Sequence, residues 1–343
     1  MDMDRKKTKV TMQDIADHLK ISKNSVSQAL TGKPGVSEAT RKLVETTAEE
    51  LGYQYTKPRK QTEDTNQHPK NIALIASEYA FSLKSFFGEI YLSIEKEVKK
   101  RGMNLFIESV QIDASQESRL PELLKNHEID GILVLSHVTT DYIISLINTG
   151  KPVVLIDHHD PLLQADAILT NNRFGAYNAV KHLIEDGHKE IAFIGDVEKS
   201  PSYQERLEGY SLALKRHNLV MNPDYIYSSI KEEQPNIFEI IFQSKELPTA
   251  WFCVNDGFGF HVLSGLQQKG ISVPDEAAVC SFDNGQLSQI STPKITTMDI
   301  DLNYFGRKSV EQLLWRMDHK DEPFQEILLS PELLVRGSTL KGE

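Results

Sequence analysis

Near its start the chain shows three short stretches in which apolar residues recur three and four positions apart, and from residue 71 onward these give way to compact apolar runs. In "VTMQDIADHLKIS", Ile15 and Leu19 share a helix face, Thr11 stands at the N-cap, and Asp14 follows where a carboxylate suits the positive end of a helix. Ser22 caps a second stretch with Val26, Ala29 and Leu30 on one side, and Ser37 caps a third carrying Val44, Ala48 and Leu51 before Gly52 stops it. Only about three residues separate the first two, the spacing of a helix-turn-helix. Three amphipathic helices of this length bury one small shared core.

"QYTKPRKQTEDTNQHPKN", residues 54–71, has no apolar residue after Tyr55 and contains two prolines, so it reads as a flexible or extended linker. Beyond it, "NIALIAS", "NLFIES", "GILVLS" and "VVLID" alternate with helical stretches, including ones near 117–126 and 140–148. A second series runs "IAFIGD", a helix from Arg206 to His217, "AWFCVND", a helix over about 258–269, and "AVCSFDN". Such alternation predicts an α/β body of two lobes, each a doubly wound parallel sheet. Ligands of these sheets sit beyond the carboxyl ends of the strands, which here means the crevice between the lobes. The polar residues at those ends are Ser77, Asp157, Asn255, Asp256 and Asp283, with Arg206 as a fixed cation. Carboxylates and amides accept from paired hydroxyls, and arginine adds a planar donor fork. Asp256 and Asn255 also have a purely structural reading as caps of the following helix; Asp283 and Arg206 do not.

Charge sharpens the division. Residues 1–60 hold 12 Lys+Arg against 8 Asp+Glu, a net of +4, while the rest has 26 against 41, a net of -15, for a total of -11. A polyanion is drawn to the head and repelled by the body. At 343 residues the chain has room for two or three domains. No apolar run opens the chain or approaches the roughly 18–20 residues that span a bilayer, which points to a cytoplasmic protein without membrane contact. Cys253 and Cys280 lie in strand-like runs, as buried reduced thiols do.

Enzyme readings find little purchase. "NDGFGFHVLSG" places Gly257 and Gly259 after a strand, but Gly265 comes too late for a dinucleotide fingerprint. "DHHDP" (Asp157, His158, His159, Asp160) suggests metal, yet neighbours on an extended chain face opposite ways, and a loop entering the crevice is the simpler reading. No nucleophile constellation stands out. Catalytic residues, metal ligands and cofactors are therefore not expected.

The second helix spends Val26, Ala29 and Leu30 on the core, so Lys23, Asn24, Ser27 and Gln28 face outward. In a major groove the two amides can both donate to and accept from an adenine edge, with Ser and Lys for phosphates or guanine. Residues 10–53, "VTMQDIADHLKISKNSVSQALTGKPGVSEATRKLVETTAEELGY", resemble the DNA-binding head of the lactose and galactose repressor family nearly position by position. The resemblance implies base reading by Lys23, Asn24 and Gln28, and phosphate contacts near Thr11, Ser22, Ser25, Ser27 and Thr31. It continues through "NRFGAYNAVKHLIEDGHKEIAFIG", "PTAWFCVND", "GISVPDEAAVCSFDN" and "PELLVRGST", which resemble the family's effector body and periplasmic sugar-binding proteins. By position it implies effector contacts from Asp157, Arg206, Asn255 and Asp283, and from Ser77 and Phe81.

The expected organisation is a helix-turn-helix head over 10–55, a linker over 56–70 and a body over 71–339. The first lobe is expected over about 71–165 with 297–324, and the second over about 166–296 with 325–339. The expected partners are an operator duplex, a small sugar-like effector and a second copy of the chain, because one short helix reads only a few base pairs. Two rivals are a carbohydrate-binding protein of transport type and a regulator answering to a protein partner.

Three features depart from the family pattern. Lys20 stands where a turn glycine is usual, implying a left-handed lysine, and the linker lacks the family's hinge-helix motif, with Thr62 near the position of its wedging leucine and Pro58 interrupting. Lys57, Arg59 and Lys60 remain there for phosphates, and weak operator bending is expected. Gln28 replaces the family's usual arginine, and glutamine prefers adenine where arginine prefers guanine. Selection from random duplexes should return sites with adenine at the step Gln28 reads; recovery of the guanine-bearing family site would contradict this.

Overall fold

The computed structural model describes residues 10–31, 35–53, 69–78, 80, 84–110, 120–135, 138–244 and 246–340. The linker expectations for Lys57, Pro58, Arg59, Lys60 and Thr62, and the candidate Phe81, lie outside the described residues. The chain divides into two compact units, residues 1–68 and 69–343.

The first unit holds α1 (Met12–Leu19), α2 (Lys23–Thr31) and α3 (Glu38–Leu51). Thr11 and Asp14 form a reciprocal capping box, with the Thr11 amide donating to Asp14 Oδ2 at 2.7 Å. Ser22 Oγ accepts from Ser25 N at 3.0 Å and Ser37 Oγ from Thr40 N at 3.2 Å, so all three helices begin on the caps the sequence marks. Ile15, Ala16, Val26, Ala29, Leu30, Val44 and Ala48 are buried together. Lys20 ends α1 at φ 56, ψ 40, the left-handed turn expected of it.

The second unit carries two six-stranded sheets. The first contains β1 (Asn71–Ser77), β2 (Asn104–Val110), β3 (Gly131–Leu135), β4 (Val153–Ile156), β5 (Asp166–Thr170) and β11 (Glu326–Leu329), in the order β11-β5-β4-β3-β1-β2 and parallel throughout. The second contains β6 (Ile191–Ile194), β7 (Ile226–Tyr227), β8 (Ala250–Cys253), β9 (Ala278–Asp283), β10 (Thr296–Asp299) and β12 (Glu332–Leu334), in the order β12-β10-β9-β8-β6-β7, with only the β10–β12 pair antiparallel. Along β1, Ile72, Leu74 and Ala76 join one hydrophobic cluster while Ala73 and Ile75 join another. Both faces are covered, which is why the strand reads as an unbroken apolar run. Cys253 and Cys280 are buried and unpaired.

The helices include α4 (Glu89–Lys100), α7 (Asn172–Glu185), α8 (Pro201–Arg216), α10 (Asp256–Gln268) and α12 (Leu302–Asp318), with the short α5 (Glu122–Asn126), α6 (Thr140–Ile147), α9 (Gln234–Gln243) and α11 (Gln286–Ile290) between them. The chain passes between the sheets three times, after β5, after β10 and between β11 and β12. The lobe edges therefore differ from the expected ones: 166–170 and 326–329 complete the first sheet and 297–299 lie in the second, while 332–334 fall in the second as expected. Hydrophobic period identifies a strand and not the sheet that receives it. A buried ion pair helps place β5, for Arg316 of α12 grips Asp166 through two nitrogens at 2.7 and 2.9 Å.

The left-handed Lys20 gives the head a test. Glycine at this position removes the Cβ clash, and Lys20→Gly should stabilise the head by about 1 kcal/mol net of its added unfolded-state freedom. Amide exchange of α1 and α2 in the full chain measures it; faster exchange in the variant would contradict the strain.

Candidate functional site

Two surfaces carry the residues singled out by sequence. In the head, Lys23, Asn24, Ser22 and Thr31 are exposed, while Ser25, Ser27 and Gln28 are half-buried. The hydroxyls of Ser22 and Ser25 lie 2.8 Å apart, and Thr31 Oγ1 donates to the Ser27 carbonyl at 2.6 Å. Thr11 is committed to its capping box. Arg41 of α3 donates to the carbonyls of Gln28 and Ala29 at 3.2 and 2.9 Å, fixing the far end of α2. Gln28 folds over Gly35, where a Cβ would come within 2.9 Å of its Oε1. The outward face of α2 thus presents Lys23 and Asn24 at the N-terminal end, with Gln28 held beside them.

In the body, a cavity of about 150 Å³ opens between the lobes. The first lobe contributes Phe86, Phe87 and Asp157; the second contributes Ser200, Ser202, Tyr203, Arg206, Glu232, Asn255, Asp256 and Asp283. A wider cleft of about 810 Å³ adjoins it and shares Asp283, Gly285 and Gln286. Arg206, 2% exposed on α8, is the centre of the arrangement. Its Nε donates to Asn172 Oδ1 at 2.9 Å, Nη1 donates to the Val254 carbonyl, and Nη2 stands 3.0 Å from Asp283 Oδ1. The Phe282 ring lies 3.7 Å beneath the guanidinium. The contact with Asp283 is an ion pair whose angles fall short of a hydrogen bond, so the buried Oδ1 keeps acceptor capacity.

Three residues here have positive φ without being glycine: Asp157 at 53°, Asp283 at 97° and Asn284 at 51°. Backbone strain of this kind is held only where surrounding contacts fix it, and it gathers at ligand sites. Burial pushes the Asp157 carboxyl up to about 7, with Arg206 opposing and Asp283 adding to the rise. Burial raises Asp256 to about 7 as well, and Asp283 is raised by burial against the pull of Arg206.

Of the expected effector residues, Asp157, Arg206, Asn255 and Asp283 meet at this cavity. Ser77 does not line it; its Oγ accepts from Ala80 N at 3.2 Å. The roles of Asn255 and Asp256 are divided differently from expectation. Asn255 is the cap, accepting from Phe258 N at 2.9 Å while donating to Tyr203 and Glu232 at 2.7 and 2.8 Å. Asp256 caps nothing on its own helix and instead receives Ser281 Oγ, Thr297 Oγ1 and the Gly285 amide, tying β9 to β10. Sequence reading missed Ser202 and Tyr203, although they sit one turn before Arg206 on the same helix, and missed Phe86 and Glu232, which no motif marks. In the "DHHDP" loop, Asp157 enters the crevice, His159 Nε2 lies 3.6 Å from Glu205, and Asp160 accepts from Thr140 at 3.2 Å.

Residues 11–55 match the family described as bacterial regulatory proteins, lacI family, and residues 180–339 match the periplasmic binding protein-like domain. The HTH-type transcriptional repressor PurR of Aliivibrio salmonicida is 30% identical over 336 residues, 96% of this chain and 99% of that protein. The chain belongs to the LacI family. The repressor CytR of Escherichia coli K12 is 31% identical over 338 residues, 98% of each chain. Among solved structures, a transcriptional regulator CelR–cellobiose complex superposes with TM-score 0.71 at 24% identity, covering 96% of this chain and 99% of that one. A lac repressor dimer bound to operator gives 0.69 at 22%, covering 97% and 99%. Both have the fold described above. As a LacI-family member the chain is a DNA-binding transcription regulator with an effector-binding body, and its relatives are repressors and not enzymes. No helix among the described residues is long and apolar enough to cross a membrane.

Proposed function

We propose that this LacI-family regulator acts as a cytoplasmic homodimeric repressor whose operator is read by Lys23, Asn24 and Gln28, with Thr11, Ser22, Ser25, Ser27 and Thr31 near the phosphates. A sugar-like effector enters the crevice and sets the operator affinity. The observation that carries the effector half is that Asp157 from one lobe and the Arg206–Asp283 pair from the other face a single cavity. A polyol held by both lobes favours the closed arrangement, and such linkage between two sites typically amounts to about 1–3 kcal/mol. The operator half is supported by the exposed Lys23 and Asn24 at the leading end of a helix buttressed by α1 and α3. Symmetric pairing of two heads doubles the length of sequence read.

Fluorescence anisotropy of the full chain on its selected operator tests the reading. Asn24→Ala should weaken operator binding roughly tenfold to a hundredfold, the worth of one bidentate base contact, while binding to unrelated duplex persists at low salt. Equal loss on both duplexes would remove Asn24 from base reading.

A further inference from the structure

The cavity and its adjoining cleft are lined by eight carboxylates and, among the described residues, by one cation, Arg206. The approach is acidic as well, with Glu89, Asp299, Asp301 and Glu332 on the cleft wall. The one cation is largely committed: three of its five N–H donors face Asn172, the Val254 carbonyl and Asp283, and its charge is balanced by Asp283. The carboxylates are not equally committed. Asp256 receives three donors and Glu232 receives Asn255. By contrast, among the described residues Asp157, 8% exposed, has only Ser202 at 3.4 Å on Oδ1 as its side-chain hydrogen-bond partner, and Asp283 Oδ1 has its ion pair with Arg206 but no hydrogen bond. Two acceptors with spare capacity, one from each lobe, therefore confront the same small space.

We infer that this crevice selects a polyhydroxylated effector bearing a protonated amine, an amino sugar, and rejects the phosphorylated form of the same sugar. The inference rests on the sugar reading above and narrows it. Asp283 is already paired with Arg206, so the carboxylate left without an ion pair is Asp157: hydroxyls satisfy it as an acceptor but leave its buried charge uncompensated, whereas an ammonium both donates to it and supplies the opposite charge. Burial pushes the Asp157 carboxyl up to about 7 even against the pull of Arg206, so a cation brought closer to it would favour its ionised form. A phosphoryl group would bring further negative charge to a cavity whose one cation among the described residues is already paired with Asp283, down an acidic approach.

Isothermal titration calorimetry of the full chain with glucose, galactose and mannose, each in neutral, 2-amino and 6-phosphate form, tests this. An amino form should bind at least about tenfold more tightly than its neutral parent, a margin one added charged hydrogen bond supplies, and no phosphate should bind. Asp157→Asn should bring the amino-to-neutral affinity ratio toward one. If a 6-phosphate binds as well as its parent, or the amine confers no preference, the inference fails while the sugar reading stands. If no form of any of the three sugars binds, the sugar reading itself fails, and this inference with it.

Discussion

A guanidinium taken almost wholly out of water must be ringed by acceptors, and the shape of the crevice follows from how Arg206 meets that demand. Its partners come from three elements: the first residue of α7, the end of β8 and the end of β9. Two of these are strand ends, where parallel sheets expose backbone carbonyls and place ligand-facing side chains. Asn172 lies just after the first passage between the lobes, so the arginine is tied to a segment that any lobe movement must flex. Removing one member of such a buried pair leaves the other charge uncompensated, which costs far more than the pair itself contributes.

The carboxylates around it divide into two kinds. Asp256 is structural, fastening β9 to β10 and to the Gly285 turn, and its environment is complete without a ligand. Asp157 and Asp283 are held at positive φ with acceptor capacity unfilled, which is a cost in the empty protein that a bound donor offsets. That contrast separates residues that build the crevice from residues that await an occupant. It also accords with the function proposed above, in which the occupant is needed to join the two lobes.

Much of the head was legible because its signals are local: caps at Thr11, Ser22 and Ser37, stripes at helical spacing, and the glycine stop at residue 52. The body's strands were legible because burial on both faces writes an unbroken apolar run. Membership of a sheet was not, since β5, β10, β11 and β12 are placed by long-range contacts such as Arg316 with Asp166. At the crevice, Asp157 and Asp283 followed from the rule that ligands sit at strand ends, and Arg206, a helix residue, from the family resemblance. Asn255 and Asp256, adjacent at one such end, differ only in which way each side chain turns, and spacing carries no information about that. Phe86 and Glu232 reach the cavity from segments with no period or motif to announce them.

Arg206 and Asp283 form one buried, mutually dependent unit on which the crevice rests. A double-mutant cycle in urea unfolding of the full chain measures this directly. Arg206→Met alone should cost about 3–5 kcal/mol, the penalty of stranding a buried charge, and adding Asp283→Leu should recover most of it. Single and double variants whose effects simply add, with Arg206→Met costing under about 1 kcal/mol, would contradict the account.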